Sequence, residues 1–331
     1  MRFTSHPMEV FHRHPPADQR TDCALTIGNF DGVHRGHQAV LSELRRRANA
    51  LGLPTCVLTF EPHPREYFAE LAGDPTLAPP RILTERDKLD ALAAHGVDRV
   101  CIAHFNASTA SQGAEAFIDE AIVAGLRARF LLVGDDFRFG AKRRGTFAML
   151  DDASHRLGFS VARMDSVLDG GERVSSSAVR ASLGMGDFAR ARALLGRAYF
   201  MSGHVVHGRK LGRTLGFPTL NLRVPFSRPA VAGVFVVQVH GIQDRPMSAV
   251  ASLGTRPAVE REGKLLLEVH LFDFSGDLYG RLVRVEFLHR LREERGFDSL
   301  QALTAQIDRD ALDARAWFAN RDANHDTNRH A

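Results

Sequence analysis

Short apolar runs alternate with longer amphipathic segments in the first half of the chain. The runs that predict buried strands are 23–27, 55–60, 99–103, 130–133 and 160–164. The segments between them carry apolar residues at helical spacing, at 37–51, 84–95, 114–126 and 177–183. Strands that alternate with helices favour a parallel sheet covered by helices, so this half is predicted to have an α/β fold.

The second half carries a different pattern. A short connecting helix is predicted at 187–195, and the apolar runs after it lie around Val205 and at 234–239, 265–272 and 283–287. Gly/Pro turns separate these runs, and no helical segment lies between them. Strands in direct succession predict a mainly β domain in the form of a barrel.

A closing helix is predicted at 300–318, and the polar segment 321–331 predicts a disordered tail. The residues expected on the buried face of this helix are Leu303, Ile307, Leu312 and Trp317. Because 331 residues are enough for two domains with separate cores, we expect the first domain over 1–186 and the second over 187–320.

Composition and charge narrow the range of partners. A hydrophobic fraction of 44% and a charged fraction of 25% are ordinary globular values. A net charge of +4 suits anionic ligands such as nucleotides. The Lys and Arg residues are scattered and form no basic–aromatic stripe, so no nucleic-acid partner is predicted.

The cysteines and the apolar runs indicate the compartment. Cys23, Cys56 and Cys101 form neither a metal-type pair nor a disulfide framework, and Cys23 and Cys56 are expected to be buried reduced thiols. No stretch reaches the about 20 apolar residues of a membrane span. The first 16 residues lack the apolar segment of a signal peptide, so a cytoplasmic protein without a membrane partner is predicted.

A turn rich in glycine and histidine, Gly28-Asn29-Phe30-Asp31-Gly32-Val33-His34-Arg35-Gly36-His37, connects the first predicted strand to its helix. Ligands of open α/β sheets bind at the carboxyl ends of strands, and a helix N-terminus attracts phosphate. His34 and His37 can donate hydrogen bonds to phosphoryl oxygens. The residues alone leave open a simpler interpretation, in which the histidines cap the helix and the glycines turn the chain.

This turn closely resembles the Gly-x-Phe-Asp-Gly-Val-His-x-Gly-His signature of nucleotidyltransferases, in the form found in bacterial FMN adenylyltransferases. Segments 59–64, 134–140 and 174–180 are similar to three further motifs of that family, with Ser177 in place of a threonine. By their position alone the serines at 175–177 can be N-caps. With Arg180 one turn later, they can also clamp the β- and γ-phosphates.

The resemblance implies a Rossmann-like domain that transfers AMP from ATP to FMN. It assigns stabilisation of the α-phosphate to His34 and His37, with Arg180 as a further catalytic residue. The ATP-binding residues it implies are Gly28, Phe30, Asp31, Gly36, Ser175, Ser176 and Ser177, and the FMN-binding residues are Pro62, His63, Pro64, Asp136 and Phe137. Because the FMN phosphate is already anionic, the reaction needs positioning and charge neutralisation, including Mg²⁺, but no general base.

A second candidate site begins at Gly203 and ends in Pro218-Thr219-Leu220-Asn221. If this end is extended, Thr219 and Asn221 point to the same face, where two neutral oxygen atoms suit Mg²⁺ bound to ATP. Downstream, Glu268 alternates with apolar residues, and a carboxylate at such a position can take the proton of an alcohol. The alternative is a turn-rich hairpin with polar side chains in solvent.

The segment 203–221 closely resembles the ATP-binding signature of riboflavin kinases. The similarity implies that Thr219 and Asn221 bind Mg-ATP and that Glu268 is the base for the ribityl 5′-hydroxyl. The other residues it implies are Gly203, Gly208, Lys210, Gly212, Arg213, Gly216 and Pro218 for ATP, and Arg292 and Phe297 for the flavin. The sequence departs from the family pattern at Arg209, Ser252 and Ala258.

Together the resemblances cover about residues 22–318, and their order is that of the bacterial bifunctional riboflavin kinase/FMN adenylyltransferases. They imply a chain that phosphorylates riboflavin to FMN and then adenylates FMN to FAD, with riboflavin, FMN and ATP as its partners and Mg²⁺ as cofactor. The first alternative is an enzyme with one active half and one scaffold half. The second is a non-catalytic flavin-responsive or RNA-binding regulator, which leaves two phosphate-binding motifs unexplained.

Overall fold

The computed structural model describes residues 8–207, 217–254 and 265–327. The described residues divide into two compact units. The N-terminal unit comprises 2–79 and 88–178, and the C-terminal unit comprises 80–87 and 179–331. The predicted domain boundary after residue 186 stays a prediction, because these units are defined by packing and not by activity.

The N-terminal unit is built on a parallel sheet. Within the described residues its strands are β1 (Glu9–Phe11), β2 (Cys23–Ile27), β3 (Thr55–Glu61), β4 (Arg99–His104), β5 (Ala128–Gly134) and β6 (Ser160–Met164), in the order β1-β4-β3-β2-β5-β6. Every residue of β2 is buried, as expected for a central parallel strand covered on both faces. The predicted α/β architecture is confirmed.

Helices and short turns connect these strands. They are α1 (Arg35–Leu51), α2 (Pro64–Leu71), α3 (Glu85–Ala94), α4 (Ala107–Ser111), α5 (Ala114–Ala116, continued as a π-helix over Phe117–Gly125), α6 (Phe147–Leu157) and α7 (Ser176–Met185). Before α7, β7 (Leu168–Asp169) and β8 (Glu172–Arg173) form a small hairpin. The sequence pattern did not predict β1, α2, α4, α6 or the β7–β8 hairpin.

The strand order determines where a ligand can bind. The chain places β3 and β4 on one side of β2, and then crosses to place β5 and β6 on the other side. The loops that leave β2 and β5 therefore diverge at the carboxyl edge of the sheet. Such a switch point leaves a crevice in which open α/β sheets bind their ligands.

The three cysteines lie on neighbouring strands of this sheet, and all are buried and free. The Cys23 thiol donates to the Leu126 carbonyl (3.1 Å), and the Cys101 thiol donates to the Arg13 carbonyl (2.9 Å). Burial raises the pKa of Cys101 to about 12. The neighbouring Cys23 thiol and burial raise the pKa of Cys56 well above its usual value. These thiols are packing residues, as the sequence predicts for Cys23 and Cys56.

The C-terminal unit contains a closed antiparallel barrel. Its strands within the described residues are β9 (Phe200–Val206), β10 (Leu220–Val224), β11 (Gly233–His240), β12 (Met247–Leu253), β13 (Leu265–Leu271) and β14 (Leu282–Arg292). The interior is filled by fully buried apolar side chains, including Phe235, Leu253, Leu267 and Phe287. The barrel prediction is confirmed, although β10 and β12 were not predicted as strands.

Two helices flank the barrel strands in the sequence. The first is α8 (Phe188–Leu195), whose N-terminus is capped by Asp187. The second is α9 (Leu300–Thr327), which is longer than predicted. The predicted tail is therefore helical over 321–327, where the Arg321 guanidinium lies 5.5 Å from the Trp317 ring, and 328–331 lie outside the described residues. Among the described helices, none is long and apolar enough to cross a membrane.

The buried face of α9 lacks one predicted residue and contains two polar residues that were not predicted. Leu312 is 66% exposed, whereas Gln306 and Asp310 are buried. The carboxylate of Asp310 accepts two hydrogen bonds from Arg292 of β14 (2.8 and 2.6 Å). This ion pair orients the helix, and a prediction based only on apolar spacing cannot include it.

Residues 80–87 form a part of the C-terminal unit that no sequence pattern indicated. Arg81 pairs with the chain around Pro229, because its N–H donates to the Arg228 carbonyl (2.7 Å) and its carbonyl accepts from Ala230 (2.9 Å). The side chains of Ile82 and Leu83 are buried. The segment is thus packed into the unit that contains the barrel.

Asp87 fixes the end of this segment. Its carboxylate is fully buried and accepts hydrogen bonds from the backbone N–H (3.2 Å) and the hydroxyl of Ser202 on β9. Its own N–H donates to Thr84 Oγ1 (3.1 Å), which caps α3. Burial raises the pKa of Asp87 above its usual value, and the hydrogen bonds from Ser202 oppose this shift.

We expect Asp87→Ala to lower the free energy of unfolding by about 1–3 kcal/mol, because it leaves the buried Ser202 donors without an acceptor. Asp87→Asn keeps an acceptor oxygen and should cost less, and Asp90→Ala, at an exposed position of α3, is the matched control. Urea denaturation of the C-terminal unit measures the three values. Equal stability of Asp87→Ala and the wild type would contradict this assignment.

The difference in free energy of unfolding between the wild type and Asp87→Asn has a defined pH dependence. Because the folded-state pKa of Asp87 is raised, its protonated form is favoured in the folded protein. The stability from this group is complete below the unfolded-state pKa and is lost as pH rises through the folded-state pKa. The wild type should therefore gain stability relative to Asp87→Asn as the pH is lowered from neutral, and the opposite slope would refute the assignment.

Candidate active sites

A cavity of about 720 Å³ lies at the carboxyl ends of the parallel strands, within the N-terminal unit. The loops that follow β2, β3, β4, β5 and β6 all contribute to its lining. The predicted site residues among its lining are Gly28, Phe30, His34, Gly36, His37, His63, Pro64, Asp136, Phe137, Ser175 and Ser176. Asp31, Pro62 and Ser177 do not belong to the described lining.

The two histidines of the glycine-rich turn meet in this cavity. His34 is the N-cap of α1, and its Nδ1 accepts a hydrogen bond from the N–H of His37 (3.3 Å). The neutral His34 ring therefore carries its hydrogen on Nε2, which can donate to a ligand. The two rings stack with centroids 3.7 Å apart, and Phe30 packs against His37 at 4.9 Å. Capping of the helix and binding of a ligand are thus compatible roles.

The backbone of this turn is strained. Phe30, Gly32 and Val33 have φ of 50°, 90° and 40°. This region is costly for a β-branched residue such as Val33 and is often found at functional sites. The fully buried Val33 side chain and a hydrogen bond from Gln38 to the Val33 carbonyl (2.8 Å) hold the conformation. A Cβ at Gly36 would lie 3.1 Å from both the His34 ring and the Val174 carbonyl, which is closer than an ordinary contact, so glycine favours this close approach.

The serine segment is attached to the histidine turn. Ser175 accepts a hydrogen bond from the N–H of Ala178 (3.2 Å) and caps α7. The Ser176 hydroxyl donates to the carbonyl of Asp31 (2.8 Å). Ser177 is exposed. Arg180 belongs to the C-terminal unit, where its Nε donates to the Pro80 carbonyl (2.7 Å).

Residues from β3, from α2 and from the loop after β4 form an aromatic wall that the sequence reasoning missed. His63 caps α2, its Nδ1 accepting from the N–H of Arg65 (3.1 Å). Beside it, Phe60, Phe68 and Phe105 line the cavity, and both Phe60 and Phe68 contact Phe105 with ring centroids 5.9 Å apart. Such faces can hold a flat aromatic ligand. Phe60 and Phe105 could have been found from their positions at the ends of β3 and β4, whereas Phe68 lies within α2.

Arg173 on β8 is a second lining residue that was missed. Its guanidinium lies 2.8 Å from Asp136 and 3.5 Å from Asp135. These two ion pairs join the β7–β8 hairpin to the loop after β5. Hydrogen bonds from Ser166 hold the pKa of Asp135 below its usual value. The cationic residues around the cavity are Arg65, Arg138, Lys142, Arg143 and Arg173, against the carboxylates of Asp135, Asp136 and Asp165. This excess of positive charge favours an anionic ligand.

The second set of predicted residues lies on the outer side of the barrel. Asn221 of β10 is directly opposite Glu268 of β13, and Glu268 is directly opposite Ser252 of β12. Side chains opposite each other on neighbouring strands share a face. Because the adjacent Leu222 and Leu267 are buried in the barrel interior, the three polar residues point outward. Asn221 is buried on this face, whereas Glu268 is exposed.

The neighbouring residues are placed as follows. The carbonyl of Pro218 lies 3.0 Å from His270 Nδ1, half-buried Thr219 directly precedes β10, and Gly203 pairs with Val283. Arg292 is bound by Asp310, and its guanidinium lies 5.9 Å from the Phe297 ring. The predicted residues Gly208, Lys210, Gly212, Arg213 and Gly216, and the departures Arg209 and Ala258, lie outside the described residues.

Comparison with known proteins identifies both halves. Residues 16–178 match the family model described as FAD synthetase, and residues 195–318 match the one described as riboflavin kinase. The bifunctional riboflavin kinase/FMN adenylyltransferase of Haemophilus influenzae is 46% identical over 296 residues, which cover 89% of this chain and 94% of the relative. This chain belongs to the bifunctional riboflavin kinase/FMN adenylyltransferase family.

Further members of the family show the same similarity. The protein of Escherichia coli K12 is 46% identical, and that of Pseudomonas fluorescens is 47% identical, each over about nine-tenths of this chain and 93% of the relative. A crystal structure described as a macrolide-efflux protein from Streptococcus pneumoniae superposes with a TM-score of 0.68 at 28% identity, and covers 94% of this chain and 99% of that one. The resemblance stated from the sequence is confirmed for both domains.

Proposed function

We propose that this chain phosphorylates riboflavin with ATP in its C-terminal unit and then transfers AMP from ATP to FMN in its N-terminal unit. The products are FMN and ADP in the first step, and FAD and pyrophosphate in the second. The observation that carries the proposal is the match of both family models in one chain, together with a positively charged cavity at the switch point of the first domain.

In the adenylyl transfer, a phosphate oxygen of FMN attacks the α-phosphorus of ATP, and pyrophosphate leaves. No proton has to be removed, so the site needs orientation and charge neutralisation. The Nε2–H of His34 and the ring of His37 supply donors at the N-terminus of α1, where the helix dipole also favours phosphate. The wall of Phe60, Phe68 and Phe105 is suited to the flavin ring, with His63 and Pro64 beside it.

In the kinase step, the ribityl hydroxyl of riboflavin attacks the γ-phosphorus of ATP, and ADP leaves. The hydroxyl is neutral, so its proton must be accepted during the reaction. Glu268 lies one strand away from Asn221, which puts a carboxylate beside the proposed nucleotide ligand. This carboxylate is the proposed base.

The oxygen donors at the start of β10 fit Mg²⁺ bound to ATP. The Asn221 amide and the Thr219 hydroxyl provide neutral oxygen atoms, which suit an ion that keeps waters and phosphate oxygens. When bound, Mg²⁺ neutralises charge on the ATP phosphates. Both steps consume ATP, and this need supports the predicted cytoplasmic location.

The proposed boundary between the adenylyltransferase domain (1–186) and the kinase domain (187–320) falls between the two family matches. The compact units differ from it, because 80–87 and 179–186 pack with the kinase domain. We propose that these segments are structural parts of that domain.

Incubation of the purified chain with riboflavin, ATP and Mg²⁺ tests the function directly. Chromatographic separation of flavins should show FMN first and FAD later, and supplied FMN should also be converted to FAD. Conversion that stops at FMN would leave only the kinase half active. Conversion of FMN without any use of riboflavin would leave only the adenylyltransferase half active. An otherwise identical reaction without divalent metal should form neither product.

A further inference from the structure

Lys88, in the first turn of α3, has no role in the mechanism above. Its side chain is 3% exposed, and its Nζ lies 2.7 Å from Glu61 Oε1 and 3.4 Å from Thr59 Oγ1. Burial of an ammonium group is costly unless the group is paired and hydrogen-bonded. Both partners lie near the end of β3, so the buried ammonium group stabilises that end of the strand.

The two partners lie behind two different walls of the cavity. The Thr59 hydroxyl donates to the carbonyl of Asn29 (3.2 Å), and Asn29 lines the cavity on the side of the histidine turn. The carbonyl of Glu61 accepts from the N–H of Phe105 (3.0 Å), which belongs to the aromatic wall. Glu61 also directly precedes the segment 62–64 that leads into α2. None of Lys88, Thr59 and Glu61 is part of the described cavity lining.

We propose that Lys88 is a positioning residue for FMN in adenylyl transfer, an inference that rests on the proposed function. Its ammonium joins α3 to the end of β3, directly before the 62–64 segment, and so fixes the position from which His63 and Pro64 enter the cavity. Without it, the Glu61 carboxylate, which is 17% exposed, turns toward water and displaces the segment. A displacement of about 1 Å in a substrate-positioning element can cost ~10²-fold in rate.

Besides the Thr59–Asn29 bond, the ATP side of the cavity is held by bonds that do not depend on Lys88. The Ser176 hydroxyl binds the carbonyl of Asp31, and His34 caps α1, and neither bond involves Lys88. Loss of Lys88 should therefore reduce kcat/KM for FMN more than it changes the KM for ATP. This difference separates a positioning role from a general loss of structure.

The test compares Lys88→Met with Arg86→Met, an exposed cation in the same turn of α3, in the full chain. For Lys88→Met we expect kcat/KM for FMN to fall about 10- to 100-fold, with the KM for ATP changed less than about threefold. Riboflavin phosphorylation by the same preparation and all parameters of Arg86→Met should stay at wild-type values. An unchanged kcat/KM for FMN, or an equal loss in both reactions, would overturn the proposal.

A double mutant tests whether Lys88 acts through Glu61. Lys88→Met, Glu61→Met and the double variant should show the same loss of kcat/KM for FMN, because each removes one partner of the same hydrogen-bonded pair. Losses that multiply would refute the coupling. If Lys88→Met does not fold, Glu61→Met alone decides, since it removes the acceptor at a similar side-chain size: wild-type kinetics with FMN would refute the proposal. Failure of the wild type to adenylate FMN would instead refute the proposed function.

Discussion

Glu268→Gln is expected to reduce kcat for riboflavin phosphorylation by about 10²–10⁴-fold, the usual cost of losing a general base. Glutamine keeps the size of the side chain and most of its hydrogen bonding, but it cannot accept the proton of the ribityl hydroxyl. ATP and riboflavin should still bind, so their KM values should change much less than kcat. Steady-state kinetics with each substrate varied in turn measures both effects.

The same variant supplies its own control in the other domain. FAD formation from supplied FMN should continue at the wild-type rate, because a phosphate nucleophile needs no base. Glu286→Gln, which alters a carboxylate of β14 paired with His240 (3.1 Å), should leave both reactions unchanged. A Glu268→Gln enzyme that phosphorylates riboflavin at a near wild-type kcat would show that Glu268 is a solvated surface residue.

His37→Ala is expected to reduce FAD formation from FMN by about 10²–10³-fold, the typical cost of losing a preorganised donor at a developing charge. The helix cap should survive, because His34 accepts from the backbone N–H of residue 37, which alanine retains. Riboflavin phosphorylation should stay intact, because His37 belongs to the N-terminal unit. Assays of both reactions on one preparation measure the difference.

The matched control for this variant is His155→Ala, an exposed histidine on α6 of the same unit. It should have no effect on either reaction. Equal loss of both activities in a folded His37→Ala protein would count against the assignment of His37 to adenylyl transfer alone. Retention of full FAD formation would show that the stacked His34–His37 pair serves only to build the turn.

Local patterns predicted most of the regular structure. The runs that became β2 and β6 were predicted to the residue. For β2 the reason is that a central strand between two helical layers needs a continuous apolar segment with turn residues at both ends. The alternation around Glu268 also placed its side chain opposite the barrel interior, as observed. Elements with few residues, such as β1 and α2, were missed because three to eight residues carry too little periodicity.

Site residues that are contiguous in the sequence could be predicted, whereas site residues that are brought together only by tertiary contacts could not. The glycine–histidine turn, with His34 and His37, is contiguous in sequence and could be recognised directly. Phe105 and Arg173 reach the same cavity from β4 and from the hairpin before α7, so only the sheet brings them together. The role of Lys88 could not be predicted from the sequence, because it depends on an ion pair with Glu61, which lies 27 positions away.

The sequence by itself determined the order of the two domains, their α/β and β character, and the segments that carry phosphate chemistry, because these depend on local periodicity and contiguous motifs. The tertiary structure decided which residues share a site and which stabilise it. Residues 80–87 pack in the unit that contains the barrel, where Asp87 binds Ser202, and Arg292 binds Asp310 of α9. Buried polar side chains need partners, and partners distant in sequence are found only when the chain has folded.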